Sequence, residues 1–207
     1  MREEGPARFE FRVFGASLRR VEERIRGEAE WMRQEESREA YLVGRDEAGW
    51  SRNVKIRDGA LEVKMLVERR EGLERWRPAG RQELPLSGEF VAGPLGPDLG
   101  VGPLEARQDA FSLEDLVRRV IGTHSQLAVA WVEKRREHFE IGGCAVEIDE
   151  VRINGASLIS AAAESEDAER LLGVMRLLEM EGLENVNYPR AIRRVMGMEV
   201  SPGQPWF

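Results

Sequence analysis

Charged side chains recur at every second position in several short stretches of this sequence: Arg8, Glu10 and Arg12; Lys55 and Arg57; Glu62 and Lys64; Lys134, Arg136 and His138; Glu147 and Asp149; Glu164 and Glu166. A spacing of two places each set on one face of a β-strand. Gathered together, such residues have a definite chemistry. Carboxylates hold hard divalent cations through oxygen, while Arg and Lys neutralise phosphate oxygens. A mixed cluster therefore suits a polyanion with its metal ions. On an open sheet facing water, the same residues would be solvated charge and ion pairs and nothing more.

Among the 31 basic residues only Lys55, Lys64 and Lys134 are lysines, and all three fall in strand-like segments. A general preference for arginine accounts for the imbalance, not for its placement.

The elements that must carry these residues follow from periodicity. Arg8 to Phe14 alternates strictly, with Phe9, Phe11 and Val13 on the face opposite the charges. Ser17 precedes Leu18, Val21, Ile25 and Ala29 at helical spacing, which predicts a capped helix lying on a sheet. Short strands return from Ala40 to about Arg77, and Asp58-Gly59 between two alternating runs predicts a hairpin, because the tight turn needs residues that tolerate positive φ. Prolines 85, 94, 97 and 103, with several glycines, read as an irregular loop. Ser112 to Asp115 has the form of a capping box opening a helix that stops at Gly122. A strand meander follows, turning at Gly142-Gly143 and Asn154-Gly155. Glu166 leads into a helix ending near Gly182, and Pro189 opens a last short one.

If helices cover the apolar faces and the sheet curls until it closes, alternation collects the charged faces in one lumen. An open sheet remains the alternative for any single strand.

Composition bounds the rest. The chain has 207 residues, 42% hydrophobic and 33% charged, and a net charge of -7, which argues against wrapping nucleic acid. No uninterrupted apolar run reaches signal-peptide or membrane-span length, so the expectation is a cytoplasmic protein with neither nucleic acid nor membrane as partner. Cys144 alone forms no internal disulfide and alternates with Val146 and Ile148 as a buried hydrophobe. His124 and His138 lack a metal-ligand spacing, with His138 on the lumen face and His124 in a loop. The five tryptophans, Trp31, Trp50, Trp76, Trp131 and Trp206, form no ordered platform and are expected in packing roles. No Gly-rich phosphate loop or nucleophile elbow is present.

At the charged strands the sequence resembles the CYTH family, the triphosphate tunnel metalloenzymes that include inorganic and thiamine triphosphatases and class IV adenylate cyclases. The pieces occur in the family's order from Phe9 to about Met196: the charged first strand, the hairpin VKIRDGALEVKM, the basic strand VEKRR, the acidic strand VEIDEV, and ESE before a helix. The resemblance implies an α+β fold over residues 1–207 as one domain, a closed antiparallel β-barrel of about eight strands forming a tunnel with helices outside. It implies metal-dependent hydrolysis of a triphosphate or polyphosphate compound, with Mg²⁺ or Mn²⁺ as cofactor and a small-molecule triphosphate or inorganic polyphosphate as ligand. In that reading Glu10 and Glu166 are catalytic, and Glu10, Asp149, Glu164 and Glu166 hold metal. Arg12, Lys55, Arg57, Lys64, Lys134 and Arg136 grip the substrate, with Arg81 a further candidate. The family's Glu-x-Glu-x-Lys signature falls on Arg8, Glu10 and Arg12, of which only Glu10 is identical. Arg8 reverses a charge, so a non-catalytic phosphate-binding module of the same fold is the alternative, and an internally paired structural barrel the third possibility. Nothing in the residues marks an adenine pocket.

Overall fold

The computed structural model describes residues 5–45 and 51–198; Trp50 and Trp206 lie outside them. Ten strands and six α-helices follow in chain order. They are β1 (Arg8–Gly15), α1 (Arg19–Glu28), β2 (Glu30–Gly44), β3 (Arg52–Arg57), β4 (Ala60–Arg70), β5 (Leu73–Glu83), β6 (Leu86–Ser87), α2 (Gly88–Phe90), α3 (Gly96–Asp98), β7 (Ala110–Phe111), α4 (Leu113–Asp115), β8 (Leu127–Ile141), β9 (Cys144–Ile153), β10 (Ala156–Ser165), α5 (Ala168–Leu177) and α6 (Tyr188–Val195).

Eight strands close into an antiparallel barrel in the order β1-β10-β9-β8-β2-β3-β4-β5, as the alternation predicts, and helices pack around it. The hairpin turns fall where glycine and small polar residues allow positive φ, at Asp58-Gly59 and Asn154-Gly155. The turn at Asp58-Gly59 sets Asn53 opposite Lys64 and Lys55 opposite Glu62, and the one at Gly142-Gly143, also of positive φ, sets Arg136 opposite Asp149. The seam between β1 and β5 pairs only Arg8, Glu10 and the residue between them.

The chain packs as two compact units, one of Pro6–Arg38, Leu66–Arg77 and Val132–Phe207, the other of Met1–Gly5, Glu39–Met65 and Pro78–Trp131. In the first, Phe9, Phe11 and Val13 of β1 meet Val146, Ile148, Ala161 and Ala163 across the sheet. Ile25 of α1 and Leu171, Met175 and Leu178 from α5 and its end cover them. Each of these large side chains contributes about 1.5–3 kcal/mol by leaving water. Asp167 caps α5 by accepting the amides of Glu169 and Arg170. Asn187 caps α6, with Pro189 in the first turn. At α1, by contrast, the N-cap is Leu18 without a side-chain bond, so Ser17 does not cap it. The helix rests on Val21 and Ile25 instead.

In the second unit Val54, Ile56, Leu61 and Val63 pack against Leu95, Leu99, Leu116 and Ile121. Residues 84–103, expected as an irregular loop, hold short helices joined by a π-helical stretch at Val91–Leu95, while the helix expected from Ser112 to Gly122 forms, capped by Ser112 and continued by a π-helical stretch at Leu116–Ile121. Val91, Leu95 and Leu99 recur every four residues and are all buried, a helical signal that the prolines masked. Gly44 is required here, since a Cβ at that position would strike the Leu99 carbonyl. A further difference is β2, which starts at Glu30, ten residues before Ala40. Its first half carries charge on both faces, so alternation could not reveal it.

Candidate functional site

In the first unit the charged face of β1 runs from exposed Arg8 through half-buried Glu10 to buried Arg12. Arg12 is 3% exposed and stands at the centre of three carboxylates. Its Nε donates to Glu10 Oε1 at 2.7 Å, Nη1 to Asp149 Oδ2 at 3.0 Å, and Nη2 to Glu147 Oε2 at 2.9 Å. The hydroxyl of Ser160 receives a further bond from Nη1 at 3.1 Å. From β8, Arg136 donates Nε to Asp149 Oδ1 at 2.6 Å, and its Nη1 lies 3.2 Å from Glu147 Oε1. Burial works against charge on Arg12, but Glu10, Glu147 and Asp149 outweigh it and hold the guanidinium well above its ordinary value. Burial would likewise raise the carboxyl of Glu147, yet Arg136 and Arg12 draw it down to about 2.

The segment entering α6 completes this cluster. Tyr188 donates its hydroxyl to Asp149 Oδ2 at 2.7 Å. Its ring lies 4.9 Å from the Arg12 guanidinium carbon and 3.7 Å from Lys134 Nζ. Burial, then the Asp149 charge, raises the phenol well above its usual range, so it stays protonated and donating. Beyond Glu10, where the β5 ladder stops, the incoming chain takes over the edge of β1. Asn185 Oδ1 accepts the Arg12 amide at 2.9 Å and the Val186 amide donates to the Arg12 carbonyl at 2.7 Å. Asn187 Nδ2 reaches buried Glu74 at 2.9 Å. The sequence pattern gave no role to Tyr188, Asn185 or Asn187. The only available signal was the Asn187-Tyr188-Pro189 capping arrangement.

The second unit presents a different balance. Lys55 Nζ lies 3.1 Å from Glu39 and 3.7 Å from Glu62. Arg57 Nη2 lies 3.3 Å from Glu62, and Arg81 Nη1 binds the same carboxylate at 2.7 Å. Lys64, on the same strand face as Glu62, forms no ion pair among the described residues. Arg57 Nε is buried without a hydrogen-bond acceptor, the Asp58 carboxylate being 3.8 Å away. Burial lowers the pKa of Lys55; Glu39 opposes this, and Arg57 and Lys64 add to the lowering. Cations outnumber carboxylates on this face, and they crowd one another.

The expected site residues thus fall into two groups. Glu10, Arg12, Lys134, Arg136 and Asp149 converge in the first unit; Lys55, Arg57 and Lys64 share a face in the second. Glu164 stands directly across from Glu10 in the β1–β10 ladder. Glu166 is exposed, one residue past the end of β10. Among the described residues no three His, Cys, Asp or Glu side chains are grouped so as to hold a metal ion. Glu10, Glu147 and Asp149 spend their oxygens on guanidinium and phenol donors. This donor set does not fit a resident Mg²⁺ or Mn²⁺. His138 does lie on the cluster side, with Nε2 3.2 Å from Glu35 and Nδ1 3.9 Å from Glu147. No described helix is long and apolar enough to cross a membrane.

Among known proteins, no family model matches the chain, and no curated protein matches it. Solved structures do share its fold. A conserved hypothetical protein from Pyrococcus furiosus is 17% identical, with 87% of this chain and 98% of that one covered at a TM-score of 0.50. HpAC1 from Hippeastrum, described as a putative adenylyl cyclase with a dominant triphosphatase activity, is 14% identical, with 94% and 98% covered at a TM-score of 0.50. At these identities the likeness is one of fold: a closed eight-stranded antiparallel barrel.

Proposed function

We propose that this protein binds a compact, multiply charged phosphate compound, a triphosphate or inorganic polyphosphate, on the face bearing Lys55, Arg57 and Lys64, without hydrolysing it. The observation that supports this reading most is Lys64, a half-buried cation with no carboxylate partner among the described residues, close enough to Lys55 to oppose its charge. Phosphate oxygens would relieve that repulsion and supply the hydrogen-bond acceptor that Arg57 Nε lacks. Fold likeness to HpAC1 is in keeping with a triphosphate as ligand class.

Binding is favoured over metal-dependent hydrolysis because Arg12 occupies the centre of the carboxylates that a cation would need. A guanidinium and a divalent ion compete for the same oxygens, and Arg12 is covalently attached. The test is a thermal-shift panel with tripolyphosphate, with and without Mg²⁺ or Mn²⁺, beside a phosphate-release assay. Binding to the native state raises its Tm by mass action. The expected result is a tripolyphosphate-dependent rise that Lys64→Ala diminishes, and no release of phosphate. Metal-dependent release that disappears in Glu166→Gln would replace binding with catalysis, and the absence of any shift would overturn both.

A further inference from the structure

β2 is fifteen residues long, and its neighbours in the barrel are β8 and β3 alone. The β3 ladder covers only Ala40, Tyr41 and Leu42. Along that edge no described strand pairs with Glu30–Arg38, which leaves a row of backbone donors and acceptors open. This stretch is also where large apolar side chains meet water, with Trp31 58% and Met32 50% exposed. Proteins usually blunt such an edge with proline, a bulge or like charges, because an open edge is a template for another strand. Here there is no proline, and the charges have both signs.

The order of those charges decides what strand would fit. When two identical edges pair antiparallel about a two-fold axis perpendicular to the sheet, facing residues must lie on the same side, so the axis passes through a residue. With the axis at Gln34, Arg33 faces Glu35 and Glu30 faces Arg38, each twice by symmetry, while Trp31 faces Ser37 and Met32 faces Glu36. Moving the axis to Arg33 sets Arg33 against itself and Glu30 against Glu36. Moving it to Glu35 sets Glu35 against itself. Opposite charges directly across a ladder stabilise it and like charges destabilise it, so the Gln34 register is selected among the three.

We propose that two copies of this chain associate through antiparallel pairing of Glu30–Arg38 centred on Gln34, extending β2 into a continuous sheet across the two-fold axis. The present ion pairs of these residues do not oppose it. Arg38 is 88% exposed where it meets Glu133 at 3.6 Å, and Arg33 is 60% exposed beside Glu35. Exposed pairs of this kind exchange partners at little cost.

Sedimentation velocity on the full chain at up to about 100 μM, where micromolar complexes are populated, tests the pairing. The expected result is a dimer that weakens as salt rises. Glu30→Arg, an exposed change, sets Arg against Arg38 and is expected to raise the dimer dissociation constant about tenfold. Glu30→Arg with Arg38→Glu restores the opposite charges and the dimer. Under mild oxidation Gln34→Cys is expected to give a covalent dimer across the axis, with buried Cys144 not competing. A monomer at every concentration overturns the proposal. A dimer indifferent to Glu30→Arg, or one in which Gln34→Cys does not cross-link, overturns it equally by placing the contact elsewhere.

Discussion

Tyr188 donates its hydroxyl to Asp149 at 2.7 Å, onto the same Oδ2 that Arg12 reaches at 3.0 Å. Both side chains are buried, so neither oxygen nor phenol has water as a substitute. Removing the hydroxyl should cost about 1–3 kcal/mol, the range for leaving one buried partner short of a bond. Urea denaturation of Tyr188→Phe measures this. A loss below about 0.5 kcal/mol would mean that the two arginines already satisfy Asp149.

Arg12 is the residue on which the cluster depends most. Arg12→Ala leaves Glu10, Glu147 and Asp149 facing one another around a cavity, and breaking a buried charge pair in this way costs about 3–5 kcal/mol. Arg12→Lys should recover only part of that loss, because an ammonium cannot reach three carboxylates in the planar fork of a guanidinium. Equal stability of the lysine variant and the parent would contradict the assigned geometry.

The acid limb of stability follows from Glu147. Its carboxyl titrates near 2 in the folded chain, below the ordinary value of 4.5. A depressed carboxyl stabilises the fold above its unfolded pKa and loses that contribution as pH falls through the folded one. Over the interval from about 4.5 to 2 the loss should be on the order of 3 kcal/mol. Glu147→Gln should flatten this limb in a pH series of denaturation midpoints; an unchanged slope would assign it to other groups.

Lys134 and Lys64 should behave differently although the same strand pattern selected both. Lys134 lies 3.7 Å from the Tyr188 ring centre and is 5% exposed. A desolvated cation–π contact is worth about 2 kcal/mol. Lys134→Met should therefore lower stability while leaving tripolyphosphate affinity near the parent value. A selective loss of affinity at constant stability would move Lys134 into the ligand set.

The barrel was legible in the sequence because burial of one strand face and charge on the other leaves a period of two, as at Phe9, Phe11 and Val13 against Glu10 and Arg12. Turn chemistry marked the hairpins at Asp58-Gly59 and Asn154-Gly155. Pattern could not say what each inward charge faces. Arg12 and Lys64 look alike along the chain, yet one is enclosed by carboxylates and the other forms no ion pair among the described residues. Tyr188 was hidden for another reason: it reaches Asp149 from a short helix 39 residues away, and no local period records such a contact. Glu30–Arg38 escaped because an edge strand exposed on both faces needs no alternation.

Calorimetric titration of tripolyphosphate into the parent and into Lys64→Ala addresses the central claim most directly. The account predicts binding to the parent that weakens as ionic strength rises, and an affinity at least about tenfold lower in the variant, in line with the loss of one charge-assisted contact. Equal affinities for the two proteins, or no heat of binding to either, would contradict it.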